Sequence, residues 1–262
     1  MDPPPTAESL VTVIEIAGLG GLGLFAGLLI GCVGIGGVIV VPALTYIAGT
    51  PIQSSIAAAM MAYILSGAVG TAVYARKGSI RWLMALWLSA GAMPAALLGA
   101  RMSNVMQPRI LEVSVGLLIL ISGFYALVPR TADGSGNPEF PTLALACIGV
   151  VTGLLSAITG TGGPLVLIPI LMWLHVPVLT AVGLSQAIQL PIAILATFGN
   201  VIYGTPDYVL GGLLTLGLTI GSWLGAKLAH HLPMATLKRI IALVLVAVGA
   251  IIIVKISQTL AL

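Results

Sequence analysis

The stretch Gly31–Pro42, GCVGIGGVIVVP, interrupts an apolar run with four glycines and ends on a proline. A second stretch, Ala157–Pro169, AITGTGGPLVLIP, repeats the pattern. Glycine and proline both disfavour the interior of a regular helix. Irregular backbone at membrane depth is tolerated only where protein buries it or where it lines a wet cavity. The two stretches therefore predict two broken helices enclosed by the rest of the protein.

The composition supports a membrane setting. The chain has 262 residues, of which 59% are hydrophobic and 6% charged, whereas a soluble domain carries about 25% charged residues. Such a chain cannot cover a water-facing surface, so it is predicted to be an all-α integral membrane protein surrounded by lipid. The loops leave no room for a soluble catalytic or nucleic-acid-binding domain, and we expect no nucleic-acid partner.

Ten apolar runs account for most of the chain. Most are about 20 residues, which is the length that crosses a bilayer. They lie near Leu10–Ile30, Val38–Ala48, Ile52–Ala75, Ile80–Ala100, Ile110–Val128, Thr142–Ile158, Leu165–Leu174, Val178–Ile202, Tyr208–Ala229 and Leu237–Val254. The second and seventh runs are too short to cross, and each follows a glycine cluster. They are predicted to be half-length helices.

The two halves of the chain align at an offset of 126 residues. Over residues 26–41 and 152–167, seven of the sixteen positions are identical, and LGAR at 98–101 meets LGAK at 224–227. Such a register indicates internal duplication. We predict a first repeat over residues 1–128, a central loop over 129–141 and a second repeat over 142–262, within one membrane domain.

The basic residues favour inverted rather than parallel repeats. Parallel repeats would split the ten Lys and Arg residues five to five between the two sides. Inverted repeats place the loops at 76–81, 130 and 227–239 on one side and give seven to three. Cytoplasmic loops carry the excess of positive charge, so the N-terminus is predicted outside and the central loop in the cytoplasm.

The glycine clusters are predicted to form an anion site. Pro164 suits the first residue of a helix, so a helix N-terminus begins inside the protein, with free N–H groups and the positive end of the helix dipole. Two inverted copies would point at one midplane position, as in secondary transporters with discontinuous helices. The predicted site residues are Gly34, Gly36, Gly37, Gly160, Thr161, Gly162 and Gly163. The alternative is that these glycines only permit close helix packing.

Two polar stripes extend the predicted site. The helix at 52–75 and its counterpart at 178–202 each carry polar or small residues on one face. Polar groups in a membrane face protein or water rather than lipid, so the stripes are predicted to line one pathway. The substrate-binding candidates in them are Tyr63, Thr71, Tyr74, Gln186, Gln189, Thr197 and Asn200. Simple hydrogen bonding between helices is the alternative for any one of them.

Enzyme chemistry is not indicated. The chain has no His-Glu-x-x-His, paired carboxylates or Gly-x-Ser-x-Gly, and neither a cofactor nor a metal site is expected. Cys32 and Cys147 fit no metal or redox spacing, and each is interpreted as a small buried hydrophobe.

The paired glycine clusters with their short apolar runs, Pro42 and Pro169, the duplication and the length together resemble the TauE/SafE family of sulfite and organosulfonate exporters. The resemblance covers nearly the whole chain. It implies transport of a small sulfur-containing anion across the bacterial plasma membrane by a multi-pass protein that is not an enzyme. An anion channel and, more remotely, an intramembrane enzyme are the alternative functions, and a homodimer is an open possibility.

Overall fold

The computed structural model describes residues 7–127 and 140–231, with side-chain environments for 17–120 and 140–231. Every regular element in these ranges is helical. The helices are α1 Ala7–Val33, α2 Gly37–Tyr46, α3 Ile52–Arg76, α4 Trp82–Val105, α5 Pro108–Leu127, α6 Thr142–Thr159, α7 Pro164–Trp173, α8 Val178–Tyr203 and α9 Tyr208–Ala229. The last predicted run, 237–254, and most of the predicted central loop lie outside the described residues. The prediction of an all-α membrane protein is confirmed.

Five of these helices, α3, α4, α6, α8 and α9, are long and apolar enough to cross a membrane. Large apolar side chains such as Leu83, Phe198 and Leu216 project outward from them. Contact of these side chains with lipid tails is favourable, whereas their exposure to water is unfavourable. Cys32 is buried, but Cys147 is exposed. The interpretation of Cys147 as a buried residue is therefore wrong, because its position on α6 faces away from the packed interior.

The two short helices are as predicted. Helices α2 and α7 have ten residues each, which at 1.5 Å per residue gives about 15 Å, or about half of a 30 Å hydrocarbon core. Pro164 is at the start of α7, as its lack of an N–H group favours. The side chains of both helices are mostly buried, so each lies inside the helix bundle.

Helix α1 packs most extensively against α9, and α4 against α6. Glycines let these backbones touch. A Cβ atom at Gly27 would lie 2.8 Å from the Leu218 Cα atom, and one at Gly99 would lie 2.7 Å from the Leu154 carbonyl oxygen. Small residues such as these glycines are the usual basis of close helix packing in membranes. Both contacts join a helix before the 128–139 segment to one after it.

The order of the contacts gives the relative directions of the helices. Along α3 and α8 the contacts run in opposite order, because Gly67 meets Leu190 while Thr71 meets Gln186, so these helices are antiparallel. Along α3 and α9 they run in the same order. A Cβ atom at Gly211 would lie 3.5 Å from the Ala58 carbonyl oxygen, and the Ser66 carbonyl oxygen accepts from Ser222 further along both helices.

Candidate functional site

The two glycine loops, defined as residues 34–37 and 160–163, meet inside the bundle. A Cβ atom at Gly37 would lie 2.6 Å from the Thr161 carbonyl oxygen. A Cβ atom at Gly34 would lie 3.2 Å from the Pro164 Cβ atom. Every residue of both loops is buried. The structure thus brings together the starts of α2 and α7, which are far apart in the sequence.

Positive φ angles explain several of these glycines. Gly34, Gly160, Gly162 and Gly163 have φ values of 80°, 70°, 79° and 110°. L side chains rarely adopt such backbone conformations, and glycine adopts them without a steric cost. Gly36 differs, since its φ is −62°. A Cβ atom there would collide with the Ala26 carbonyl oxygen, so Gly36 is required by packing against α1.

Some backbone N–H groups of the glycine loops donate to a backbone carbonyl oxygen, and others do not. The Gly34 N–H donates to the Ile30 carbonyl oxygen at 2.8 Å, and the Thr161 N–H donates to that of Ser156 at 3.2 Å. Among the described residues, no backbone acceptor receives the N–H groups of Gly36, Gly37, Gly162 or Gly163. Each loop thus keeps at least two such donors at the N-terminal, positive end of a half-helix.

Tyr63 packs against the place where the two glycine loops meet. It is fully buried, and its hydroxyl donates to the Gly37 carbonyl oxygen at 3.3 Å. A Cβ atom at Gly162 would lie 2.9 Å from the tyrosine ring. Tyr63 therefore contacts both glycine loops at once, and it positions them relative to α3.

A central polar cluster lies between α3, α8 and α9. Its members are Ser66, Thr71, Gln186, Gln189 and Ser222. Thr71 donates to the Gln186 carbonyl oxygen at 3.0 Å, and the Gln189 amide donates to the Ser66 hydroxyl at 3.2 Å. The Gln186 Nε2 group donates to the Ile30 carbonyl oxygen at 2.6 Å. The cluster thus links the two predicted stripes to each other and to the residue whose carbonyl oxygen also anchors Gly34.

The ends of the two stripes lie apart. Tyr74 donates to the Gly31 carbonyl oxygen at 2.9 Å, and its ring lies 4.8 Å from that of His230. At the far end of α8, the Asn200 Oδ1 atom accepts from Asn104 at 2.9 Å. Because α3 and α8 are antiparallel, the stripes meet in the middle and then diverge toward opposite ends of the bundle.

Several buried polar atoms have no partner among the described residues. They are Thr152 Oγ1, Ser156 Oγ, Gln186 Oε1, Thr197 Oγ1 and Asn200 Nδ2. Four of the five belong to α6 and the second half of α8. A buried polar group without a partner costs about 1–3 kcal/mol, so these groups mark places where water or a ligand would be favoured.

Sequence reasoning missed four residues of this region: Ser222, Ser156, Asn104 and His230. Ser222 and Ser156 lie on helices where no polar stripe stands out. His230 and Asn104 occupy equivalent positions at the offset of 126 residues, and they contact the equivalent residues Tyr74 and Asn200. Comparing polar residues at that offset across all helices would have found this pair.

Comparisons with known proteins agree with the membrane fold. Residues 19–252 match the model of the family described as sulfite exporter TauE/SafE. The chain is 23% identical over 224 residues to the probable membrane transporter protein YdhB of Bacillus subtilis, covering 83% of this chain and 91% of the relative. It is 25% identical over 253 residues to a probable membrane transporter protein of Xylella fastidiosa, covering 93% and 95%.

A third relative is archaeal. The chain is 25% identical over 174 residues to the probable membrane transporter protein MJ0441 of Methanocaldococcus jannaschii, covering 64% of this chain and 65% of the relative. No solved structure matches the chain. The family match spans most of the residues that form the bundle and its glycine loops. The chain belongs to the TauE/SafE family, and it is a multi-pass membrane transporter rather than an enzyme.

Proposed function

We propose that the protein is a secondary transporter that exports a small sulfur-containing anion, such as sulfite or an organosulfonate. The anion binds at the midplane, between the half-helix N-termini of α2 and α7. The observation that carries the proposal is the meeting of the two buried glycine loops, where Gly36, Gly37, Gly162 and Gly163 hold N–H groups that donate to no backbone acceptor in the described part of the chain. A sulfonate or sulfite spreads its charge over several oxygens, which suits several converging donors.

The neutral character of the site supports reversible binding. The glycine loops and the central polar cluster contain no charged side chain. A full charge is costly at membrane depth, whereas amide dipoles attract an anion without fixing a countercharge that would retain it. Gln186 and Gln189 add side-chain amides in the central polar cluster, and Tyr63 holds the first loop through its hydrogen bond to the Gly37 carbonyl oxygen.

Inverted repeats would supply the two matching N-termini, and three observations support this part of the proposal. At an offset of 126, α2–α4 have nearly the same bounds as α7–α9, and α1 and α6 end at equivalent residues. The α1–α9 contact has its counterpart in the α6–α4 contact. Helices α3 and α8, which are equivalent, are antiparallel. A returning α1–α2 hairpin followed by three crossings would start the second repeat on the opposite side.

The family membership favours the bacterial plasma membrane, and the proposed orientation in it follows the charge distribution. The N-terminus lies outside, the central loop at 129–141 lies in the cytoplasm, and the repeats at 1–128 and 142–262 form one membrane domain. The substrate anion and lipid are the proposed partners.

An anion channel is the alternative function, because half-helices also build selectivity filters. Counterflow in proteoliposomes separates the two. We expect vesicles preloaded with unlabelled sulfite, thiosulfate, sulfoacetate or taurine to accumulate the labelled form of at least one of them transiently above equilibrium. Vesicles preloaded with matched carboxylates should accumulate less. Linear, unsaturable flux without counterflow would contradict the transporter and favour a channel.

Thr71 and Thr197 are equivalent positions that allow a matched test of the pathway. Thr71 donates to two carbonyl oxygens, those of Gly67 and Gln186, whereas Thr197 Oγ1 is buried and has no partner within residues 7–127 and 140–231. Thr71→Val should lower stability by about 1 kcal/mol through a lost hydrogen bond. Thr197→Val should leave stability unchanged or raise it, yet reduce transport, because its hydroxyl serves water or substrate.

The measurement for this pair is thermal unfolding in detergent alongside counterflow per folded molecule. If Thr197→Val transports at the wild-type rate, this hydroxyl does not line the pathway and the second stripe has only a packing role at that position.

A further inference from the structure

Glu112 stands out among the acidic residues. Within 17–120 and 140–231, where side chains are described, the carboxylates are those of Glu112 and Asp207. Asp207 caps α9 by accepting the Leu210 N–H at 2.9 Å, so its role is structural. Glu112 lies in the second turn of α5 and is half-buried. Carboxylates inside membrane helices are costly and commonly mark ion or proton pathways.

Glu112 lines a small cavity between α2, α3 and α5. The cavity has a volume of about 10 Å³ and is lined by Val41, Pro42, Thr45, Tyr46, Ile52, Glu112 and Val115. The side chains of Tyr46 and Glu112 are hydrogen-bonded, and because an ionised carboxylate only accepts, the Tyr46 hydroxyl is the donor. Thr45 donates to the Ser55 hydroxyl at 3.1 Å.

The size and lining decide what the cavity can hold. A volume near 10–15 Å³ accommodates about one water molecule, so a sulfonate does not fit. A hard metal cation takes about six or more oxygen ligands, and four of the seven lining residues are apolar. A proton needs only the carboxylate, and one water molecule beside it provides a path to and from the group.

We propose that Glu112 is a proton-binding site that couples proton movement to anion transport, and that Tyr46 links it to the half-helix α2. This inference rests on the proposed function. When Glu112 takes up a proton, its carboxyl group becomes neutral and the hydrogen bond from Tyr46 loses its charge assistance and weakens. The C-terminal end of α2 is then held less firmly against α5.

Helix α2 connects this site to the glycine loops. Tyr46 is its last residue and Gly37 its first, and ten helical residues span about 15 Å. Gly37 lies against Thr161 and accepts from Tyr63. Movement of α2 at the Glu112 end therefore changes the geometry of the donors at the other end.

Glu112 and Tyr46 are the two titratable residues that line the cavity. On the helices packed against α5 the titratable groups are Tyr46 of α2, Tyr63, Tyr74 and Arg76 of α3, and Cys147 of α6, while α7 has none. Of these, only Tyr46 lines the cavity. Arg109 lies one turn earlier on α5 and is exposed.

The test uses proteoliposomes that contain a trapped pH indicator. Thiosulfate and sulfoacetate serve as probes because both are fully ionised near neutral pH and carry no proton themselves. In the wild type, a gradient of the probe should drive a proton flux, and an imposed pH gradient should drive probe flux. Glu112→Gln should reduce the proton flux to the protein-free background while probe–probe exchange continues. Tyr46→Phe should lower the ratio of protons to anions moved.

Ser114→Ala is the control on the same helix, since its hydroxyl donates to the Ile110 carbonyl oxygen within α5, and it should behave as the wild type. Probe exchange without proton flux in the wild type, or an unchanged ratio in Glu112→Gln, would overturn the inference while leaving the transporter proposal intact. Absence of probe exchange in the wild type, together with absence of counterflow for sulfite and taurine, would instead contradict the proposed function, and with it the role of Glu112.

Discussion

Gly221→Leu is expected to prevent the formation of a stable bundle, whereas Gly212→Leu on the same helix should be tolerated. A Cβ atom at Gly221 would collide with the Leu24 carbonyl oxygen and lie 2.7 Å from the Leu28 backbone nitrogen. Backbone atoms of α1 cannot yield as a flexible side chain does, so α1 and α9 must separate. Overpacking in a close-packed interior costs about 1–3 kcal/mol or more.

The matched control separates this clash from a general effect of leucine. A Cβ atom at Gly212 has no neighbour within 4 Å, and leucine favours a helix over glycine by up to about 1 kcal/mol. The measurement is the yield of monodisperse protein and its melting temperature in detergent. Equal yields and melting temperatures for the two variants would show that the α1–α9 contact is not the close glycine-mediated interface described above.

Gly162→Ala is expected to abolish transport by the folded protein, while Gly49→Ala should retain it. Both glycines have positive φ angles, 79° and 69°, so alanine brings a similar backbone cost of about 1–2 kcal/mol at each. The difference lies in their surroundings. A Cβ atom at Gly162 would lie 2.9 Å from the Tyr63 ring, and at Gly49 it would meet nothing within 4 Å.

Displacing Tyr63 would move both glycine loops, because its hydroxyl donates to Gly37. Counterflow per folded molecule is the measurement, with melting temperature as the check that both variants are folded. If the two variants lose similar stability and both transport normally, the contact between Tyr63 and the second loop has no role in transport.

The fold was predictable where a physical constraint acts along the chain. Length and composition indicate a membrane protein, and Pro164 directly after a glycine cluster favours the start of a helix there. Which helices pair was not predictable. Glycines at four-residue spacing on α1 and α9 show that each can approach a partner closely, but the sequence does not say which partner. That choice depends on the three-dimensional fit of the whole bundle.

The candidate site was predictable in its parts. The glycine loops meet each other, and the central residues of both stripes meet, because the middle parts of α3 and α8 pack against each other inside the bundle. The divergence of Tyr74 and Asn200 follows from the antiparallel packing of α3 and α8. Glu112 was not singled out because it lies near the start of its helix, and only the cavity it shares with Tyr46 distinguishes it from a surface carboxylate.

Binding of anions to the purified protein in nanodiscs tests the central claim most directly. The wild type should bind at least one of sulfite, thiosulfate, sulfoacetate or taurine more tightly than a matched carboxylate. Gly162→Ala should lose that affinity, and Gly49→Ala should keep it. Binding that is the same in all three proteins, or that favours carboxylates throughout, would contradict a site for sulfur-containing anions at the glycine loops.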